Sequence, residues 1–134
     1  MILLDTNILV AYLNGHAGIA RRMLDHLPEI AIPALVAAEL YYGACASIRA
    51  EENLTKLDRL WQVMPVIGFD LRAARRCGLL KADLRKRGKP IGETDAWIAS
   101  IALEHGATLL THNTKDFQHV PALILEDWIG ASQQ

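Results

Sequence analysis

The sequence predicts an α/β fold of three layers, with a central parallel sheet of four or five strands between helices. Three observations predict it. Short apolar runs bounded by polar or turn residues alternate with longer stretches whose apolar residues recur at helical spacing. Successive apolar runs are separated by helical stretches rather than tight turns, the pattern of crossover connections between parallel strands. At 134 residues and 51% hydrophobic, the chain is large and apolar enough to bury a core without disulfides or a structural metal. No repeat, low-complexity segment or linker interrupts it, so a single domain over residues 1–134 is expected.

The elements follow in order. Ile2 to Leu4 is a short strand that leads into a helix from Thr6 to Leu13, broken by NGHAG at residues 14–18. Ile19 to Leu27 is helical, with Pro28 as its stop. Ile30 to Ile32 is a second strand; Pro33 suits the first turn of the Ala-rich helix that runs to about Gly43. Leu54, Leu57, Leu60 and Trp61 fall on one face of a helix from Glu51 to Val63. Met64 to Phe69 supplies a third strand, and Asp70 to Arg87 a long helix. RGKPIG is a turn-rich break before a helix from Thr94 to His105, capped by Gly106. Ala107 to Thr111 is a fourth strand and Ala122 to Leu125 a fifth.

Composition narrows the function. No apolar run approaches the roughly 20 residues of a membrane span, and the expectation is a soluble, cytoplasmic protein. Cys45 and Cys77 lie far apart without His or Cys at metal-ligand spacing, and are expected to be reduced core residues. The formal charge of -1 is against nucleic-acid binding through overall charge. Its distribution is uneven: Arg72, Arg75, Arg76, Lys81, Arg85, Lys86, Arg87 and Lys89 put 8 of the 14 basic residues in one strip, offset only by Asp83. Such a strip is either a solvated helix face or a track for a phosphate backbone.

Four carboxylates carry the chemistry. Asp5 ends the first strand, and ligands of open parallel sheets collect just outside the carboxyl ends of strands. Glu39, in PALVAAELYYG, has Leu35, Val36, Tyr42 and Gly43 as helical neighbours, so it projects from a largely apolar face, where an unpaired charge is costly. Asp95 lies in the first turn of a helix and shares a face with Ile98, Ala99 and Ala102. Asp116 follows the fourth strand. Each has a structural alternative: helix-start chemistry for Asp5 and Asp95, a tip reaching water for Glu39, and a reciprocal cap between Asn113 and Asp116. Together, two strand ends and two helix positions could bring four carboxylates to one end of a sheet. Carboxylates packed together repel unless protonated or bound to a cation. Hard oxygen ligands without a Cys or His cluster favour Mg²⁺ or Mn²⁺ over Zn²⁺, and such a site suits phosphoryl chemistry.

MILLDTN, PALVAAELYYGA, KPIGETDAWIASIALEHGATLLTHNTKDFQHVPAL and the closing EDW resemble the PIN-domain ribonucleases of the VapC toxin type, over nearly the whole chain. The resemblance implies a PIN-like fold and a metal-dependent endoribonuclease acting as the toxin of a type II toxin-antitoxin pair. By matching position, Asp5 and Asp95 would be the central metal ligands, Glu39 would complete the pocket, and Asp116 would bind a second metal or orient water. Thr6, Thr111 and Asn113 fall at polar family positions that support the ligands or a phosphate. Glu93 is an additional acid that leaves open which carboxylate of IGETD meets the metal, Asp95 being favoured. The implied partners are RNA as substrate, a VapB-type antitoxin that inserts a C-terminal segment into the acidic pocket, a second copy of the chain in a homodimer, and DNA only through the antitoxin. A guanidinium on that segment would compete with the cation for the carboxylates.

Other readings fit the residues less well. A haloacid-dehalogenase-like phosphatase needs a second acid two residues after the first, where Asn7 stands. A receiver domain needs paired acids after the first strand and a lysine after the fifth. A catalytically silent PIN-like domain would have no need of all four acids. His16, His26, His105, His112 and His119 are scattered and none is assigned to catalysis; His112, beside Asn113, is the one of interest.

Overall fold

The computed structural model describes residues 1–131, so the last three residues of the expected 1–134 domain lie outside the described residues. Five strands form one parallel sheet in the order β3-β2-β1-β4-β5. β1 (Ile2–Leu4) is the central strand and is buried at every position. It pairs with β2 (Ile30–Pro33) in the register Ile2 to Ile30, and with β4 (Thr108–Leu110) in the register Leu3 to Leu109. β3 (Val66–Ile67) and β5 (Ile124–Glu126) are the edges. Strands buried on both faces read as continuous apolar runs, which is why Ile2 to Leu4 shows no alternation.

The chain leaves β1 through α1 (Thr6–Leu13) and α2 (Ala17–His26), a 3-10 turn (Leu27–Glu29), and β2. α3 (Ala34–Cys45) and α4 (Ala50–Leu60) carry it outward again to β3. α5 (Leu71–Lys86) and α6 (Glu93–Glu104) then bring it back across the sheet to β4. Parallel crossovers are right-handed, so connections running outward and one running back put their helices on opposite faces, giving the three layers. A 3-10 turn (Thr114–Phe117) and a loop lead to β5, followed by the short helix α7 (Trp128–Ala131). The order reverses between β1 and β4, and that switch point opens a crevice at the carboxyl ends of both strands.

Helix α5 shows how sequence sets position. Ala73, Cys77, Leu80 and Leu84 are buried and recur every three or four residues, while the arginines and lysines between them face solvent. Asp70 caps it: its Oδ1 accepts from the Ala73 backbone N–H at 2.9 Å. α5 and α6 are antiparallel, since Arg76 bonds Glu104 at the end of α6 and Lys81 bonds Glu93 at its start. The α3–α4 pair is pinned by Tyr41, whose hydroxyl donates to Asp58 and accepts from the Trp61 indole N–H.

Several expected boundaries move. The strand expected from Met64 to Phe69 contracts to Val66–Ile67, because Pro65 has no N–H for a ladder and the segment is an edge. Pro33 ends β2 at the N-cap of α3 rather than entering the helix. α2 starts earlier than expected, at Ala17, because the His16 ring nitrogen accepts from the Ile19 N–H at 3.1 Å. The helix expected to reach Val63 stops at Leu60, and β5 runs from Ile124 after Ala122 takes a positive φ of 66°. Cys77 is buried as expected; Cys45, near the end of α3, is exposed. Among the described residues no helix is long and apolar enough to cross a membrane.

Replacing Asp70 with Ala removes the cap of α5 and should lower unfolding free energy by about 1 kcal/mol. Urea denaturation followed by circular dichroism measures it, and the slope of the transition should be unchanged.

Candidate active site

The crevice at the β1–β4 switch point is built around Asp5. Its backbone N–H continues the ladder to the Leu110 carbonyl at 2.9 Å, so the strand pairing itself fixes where the residue stands. The residue is 7% exposed. A buried carboxylate needs donors, and three supply them. Oδ1 accepts from the Thr6 N–H at 2.8 Å, and Asp5 is thereby the N-cap of α1. Oδ2 accepts from Thr111 Oγ1 at 2.8 Å and from Asn7 Nδ2 at 3.3 Å. The helix-start reading of Asp5 holds and leaves room for a second role: one oxygen caps the helix and the other faces β4.

Thr111 and Thr6 extend the network in two directions. Thr111, fully buried at the end of β4, accepts from the Asn113 N–H at 3.0 Å while donating to Asp5. Thr6 Oγ1 donates to Glu39 Oε2 at 3.0 Å, linking α1 to α3. Glu39 itself is exposed, its tip at the edge of the apolar face that the sequence suggested. Asp95 enters from the first turn of α6, half-buried above the buried Ile98, Ala99 and Ala102. Burial pushes its carboxyl up from 3.8 to about 6, and the charges of Asp5, Asp116 and Glu39 push in the same direction. All four carboxylates therefore share one electrostatic neighbourhood. Asp95 and Asp116 also line one small pocket.

Asp116 is exposed in the 3-10 turn after β4. The reciprocal cap with Asn113 does not form: Asn113 makes no side-chain cap bond, and its N–H is taken by Thr111. That leaves the Asp116 carboxylate directed by the turn rather than by helix-start chemistry. Glu93 pairs with Lys81 at 2.8 Å, which engages it on the outer surface of the α5–α6 pair. Asn7 was missed by sequence reasoning. Besides reaching Asp5, its Oδ1 accepts from the His112 N–H at 2.8 Å, tying α1 to the loop after β4. The signal was its place two residues past a strand-end acid. His112 in turn bonds Asp127 at 3.0 Å, and that carboxyl is held below its usual value despite burial, by the Gly130 N–H and by His112.

The basic strip divides. Because α5 and α6 are antiparallel, Arg85, Lys86, Arg87 and Lys89 lie at the Asp95 end. Arg72, Arg75 and Arg76 lie toward Glu104, roughly 13 Å farther along α6 at 1.5 Å per residue. Arg76 is bonded to Glu104 at 2.8 Å and Arg72 is within 3.9 Å of it, which neutralises much of that end.

The donor set fits a hard divalent cation, since the groups that could ligate at the crevice are carboxylates and hydroxyls, all oxygen donors, while Asn7 turns its amide nitrogen toward Asp5. Among the described residues no three acidic, His or Cys side chains already converge on one chelating point. Like charges repel, and the Asp5, Asp116 and Glu39 carboxylates add that repulsion to the burial that raises Asp95.

Comparison with known proteins places the chain as a whole. Residues 2–123 match the PIN domain family. Ribonuclease VapC2 of Rickettsia felis is 40% identical over 129 residues, covering 94% of this chain and 96% of the relative. A tRNA(fMet)-specific endonuclease VapC of Shigella flexneri is 33% identical over 127 residues, covering 94% and 96%. Among solved structures, the DNA-bound VapBC of Salmonella typhimurium superposes with a TM-score of 0.88 at 30% identity, covering 95% of this chain and 97% of that one. VapBC2 of Rickettsia felis bound to a promoter DNA fragment gives a TM-score of 0.86 at 38% identity, covering 96% and 99%. The chain belongs to the PIN-domain family, in its VapC ribonuclease branch.

Asp95 titrates near 6 in the folded chain against 3.8 unfolded, so folding favours its protonated form. Its charged form therefore destabilises the fold above about pH 6, and the penalty is absent below roughly pH 4. Asp95→Asn should accordingly melt at a higher temperature than the wild type at about pH 8 in EDTA, and the gain should vanish near pH 4. Parallel thermal melts at the two values read the difference.

Proposed function

We propose that the chain is a metal-dependent endoribonuclease, the toxin of a VapBC-type pair, cutting RNA phosphodiester bonds at Asp5, Glu39, Asp95 and Asp116. The observation that carries the reading is the mutual charge of these four carboxylates, felt at Asp95, at the switch point of a fold shared with VapC ribonucleases. Asp5 and Asp95 would hold a Mg²⁺ or Mn²⁺ ion, Asp5 with its free lone pairs beside the Thr111 and Asn7 donors that fix its plane. Bound there, the cation supplies charge neutralisation at the scissile phosphate and a more acidic water. Glu39, oriented by Thr6, completes the ligand field from α3. Asp116, on the rim, orients the attacking water or a second ion. Thr111 and Asn113 keep the β4 end in register with Asp5.

Asp95 must lose its proton to bind the ion, so proton and metal compete, and activity should rise with pH through about 6 at limiting metal. Incubating total RNA with the purified chain, with Mg²⁺ or Mn²⁺ and with EDTA, tests the proposal by mapped fragment ends. Discrete metal-dependent fragments are expected, and Asp5→Asn or Asp95→Asn should remove them while circular dichroism stays native. Undiminished cutting by both variants would refute the site.

The partner reading has its own structural support. An open groove of about 950 Å³ runs between α1, α3 and α4, lined by Val10, Leu13, Leu40, Tyr42 and Leu57, with Thr6 and Glu39 at its polar edge. Tyr42 is 78% exposed and Leu13 45% exposed on it. The groove suits an amphipathic antitoxin segment whose apolar side chains fill it and whose cationic end reaches the carboxylates. Leu13→Asp should then reduce co-purification with a short protein encoded beside this one, measured by pull-down from co-expressing cells.

A further inference from the structure

A polyanion cannot approach four carboxylates unless cations stand near them, and the cations around this site are not equivalent. Arg72 and Arg76 are engaged by Glu104, Lys81 by Glu93, and Arg87 by Asp83 at 2.8 Å. Arg85, Lys86, Lys89 and Lys115 belong to no ion pair among the described residues, and two of them, Lys89 and Lys115, stand apart by their position. These two line the same pocket as Asp95 and Asp116, with His119 beside them. The pocket is small, about 200 Å³, and its remaining wall is apolar, from Leu84, Pro90, Ile91 and Val120.

The backbone carrying both lysines is fixed in advance. Gly88, at φ 68°, turns the chain out of α5 and lets the Lys89 N–H close on the Leu84 carbonyl at 2.8 Å. The Arg87 guanidinium donates to the His119 carbonyl at 3.3 Å, joining the end of α5 to the segment after the 3-10 turn. On the other side, Phe117 is buried at 1% exposure, and the Val120 N–H bonds its carbonyl at 3.1 Å, anchoring the turn that presents Lys115. Lysine side chains are flexible, but their attachment points are held at a set separation, which reduces the cost of ordering them on a ligand.

We infer that this pocket is a phosphate subsite: Lys89 and Lys115, with His119, hold the RNA phosphodiester next to the one being cut. Its size admits one phosphodiester and the sugar beside it, and the apolar wall faces that sugar. Because a lysine acts here as a point charge, the contact is made to the backbone and is independent of base sequence. The subsite rests on the ribonuclease reading for its purpose, although binding of RNA to it is measurable without cutting. Sequence gave no pointer to Lys115 or His119, since each is one polar residue in a polar loop.

The experiment is equilibrium binding of a fluorescent single-stranded RNA to the full chain in EDTA, across a series of salt concentrations, for the wild type, Lys89→Ala, Lys115→Ala and Lys115→Arg. Each alanine variant should bind severalfold more weakly and lower the slope of log K against log salt by about 0.7, the value for one phosphate contact on a single strand. Lys115→Arg should keep both affinity and slope. Arg21→Ala, which removes an exposed charge from α2, should leave both unchanged. Wild-type affinity and slope in both lysine-to-alanine variants would overturn the subsite even if the chain cuts RNA. Loss of binding that Lys115→Arg fails to restore, or that Arg21→Ala reproduces, would overturn it as well. Failure of the wild type to cut RNA with metal, alongside lysine-dependent binding in EDTA, would count against the nuclease reading and leave the subsite standing.

Discussion

The fixed point of this molecule is the carboxylate of Asp5 at the end of the central strand. A buried charge is costly unless donors surround it, and here the donors come from three places: the Thr6 N–H, the Asn7 amide and the Thr111 hydroxyl. Satisfying Asp5 therefore ties β1, α1 and β4 together at one point. The same bonds set the end of the sheet against which α3 and α6 bring Glu39 and Asp95. The loop after β4 follows, because Asn7 holds His112 and Thr111 holds Asn113.

That arrangement concentrates negative charge around Asp95, whose carboxyl is lifted to about 6 first by burial and further by its three carboxylate neighbours. Repulsion of this kind is destabilising in the folded chain and becomes useful when a cation is bound, since each carboxylate that repels its neighbours also attracts the ion. The charges farther out are arranged to match. At the far end of the basic strip Glu104 engages Arg72 and Arg76, whereas Lys89 and Lys115, beside the carboxylates, belong to no ion pair among the described residues. Net charge is close to zero, yet the cations and the carboxylates meet at one edge. Overall composition hides that distribution, which the net charge averages away.

The alternation of apolar runs and helical stretches carried the fold class, the short strand at Ile2 to Leu4, and the helix from Asp70 onward. Each of these rests on local periodicity or a local cap. The strand at Met64 to Phe69 was overestimated because its apolar content was visible and its edge position was not. Cys45 looked like a core residue because helical periodicity does not reveal which face lacks a neighbour. Of the carboxylates, Asp5 and Asp95 were legible from strand-end and helix-start positions, while Asn113 and Asp116 imitated a cap that the Thr111 hydroxyl displaces.

By itself the sequence determined an α/β chain with four acids in a fixed order and a basic strip along one helix, because these are set by residue type and spacing. The tertiary structure alone decided that the acids feel one another's charge, that Asn7 and Thr111 serve Asp5, and that Lys89 and Lys115 share a pocket with Asp95 and Asp116. Those relations join residues up to 106 positions apart. They arise where parallel crossovers reverse direction, and no local pattern encodes the distance between two strand ends that meet only when the sheet closes.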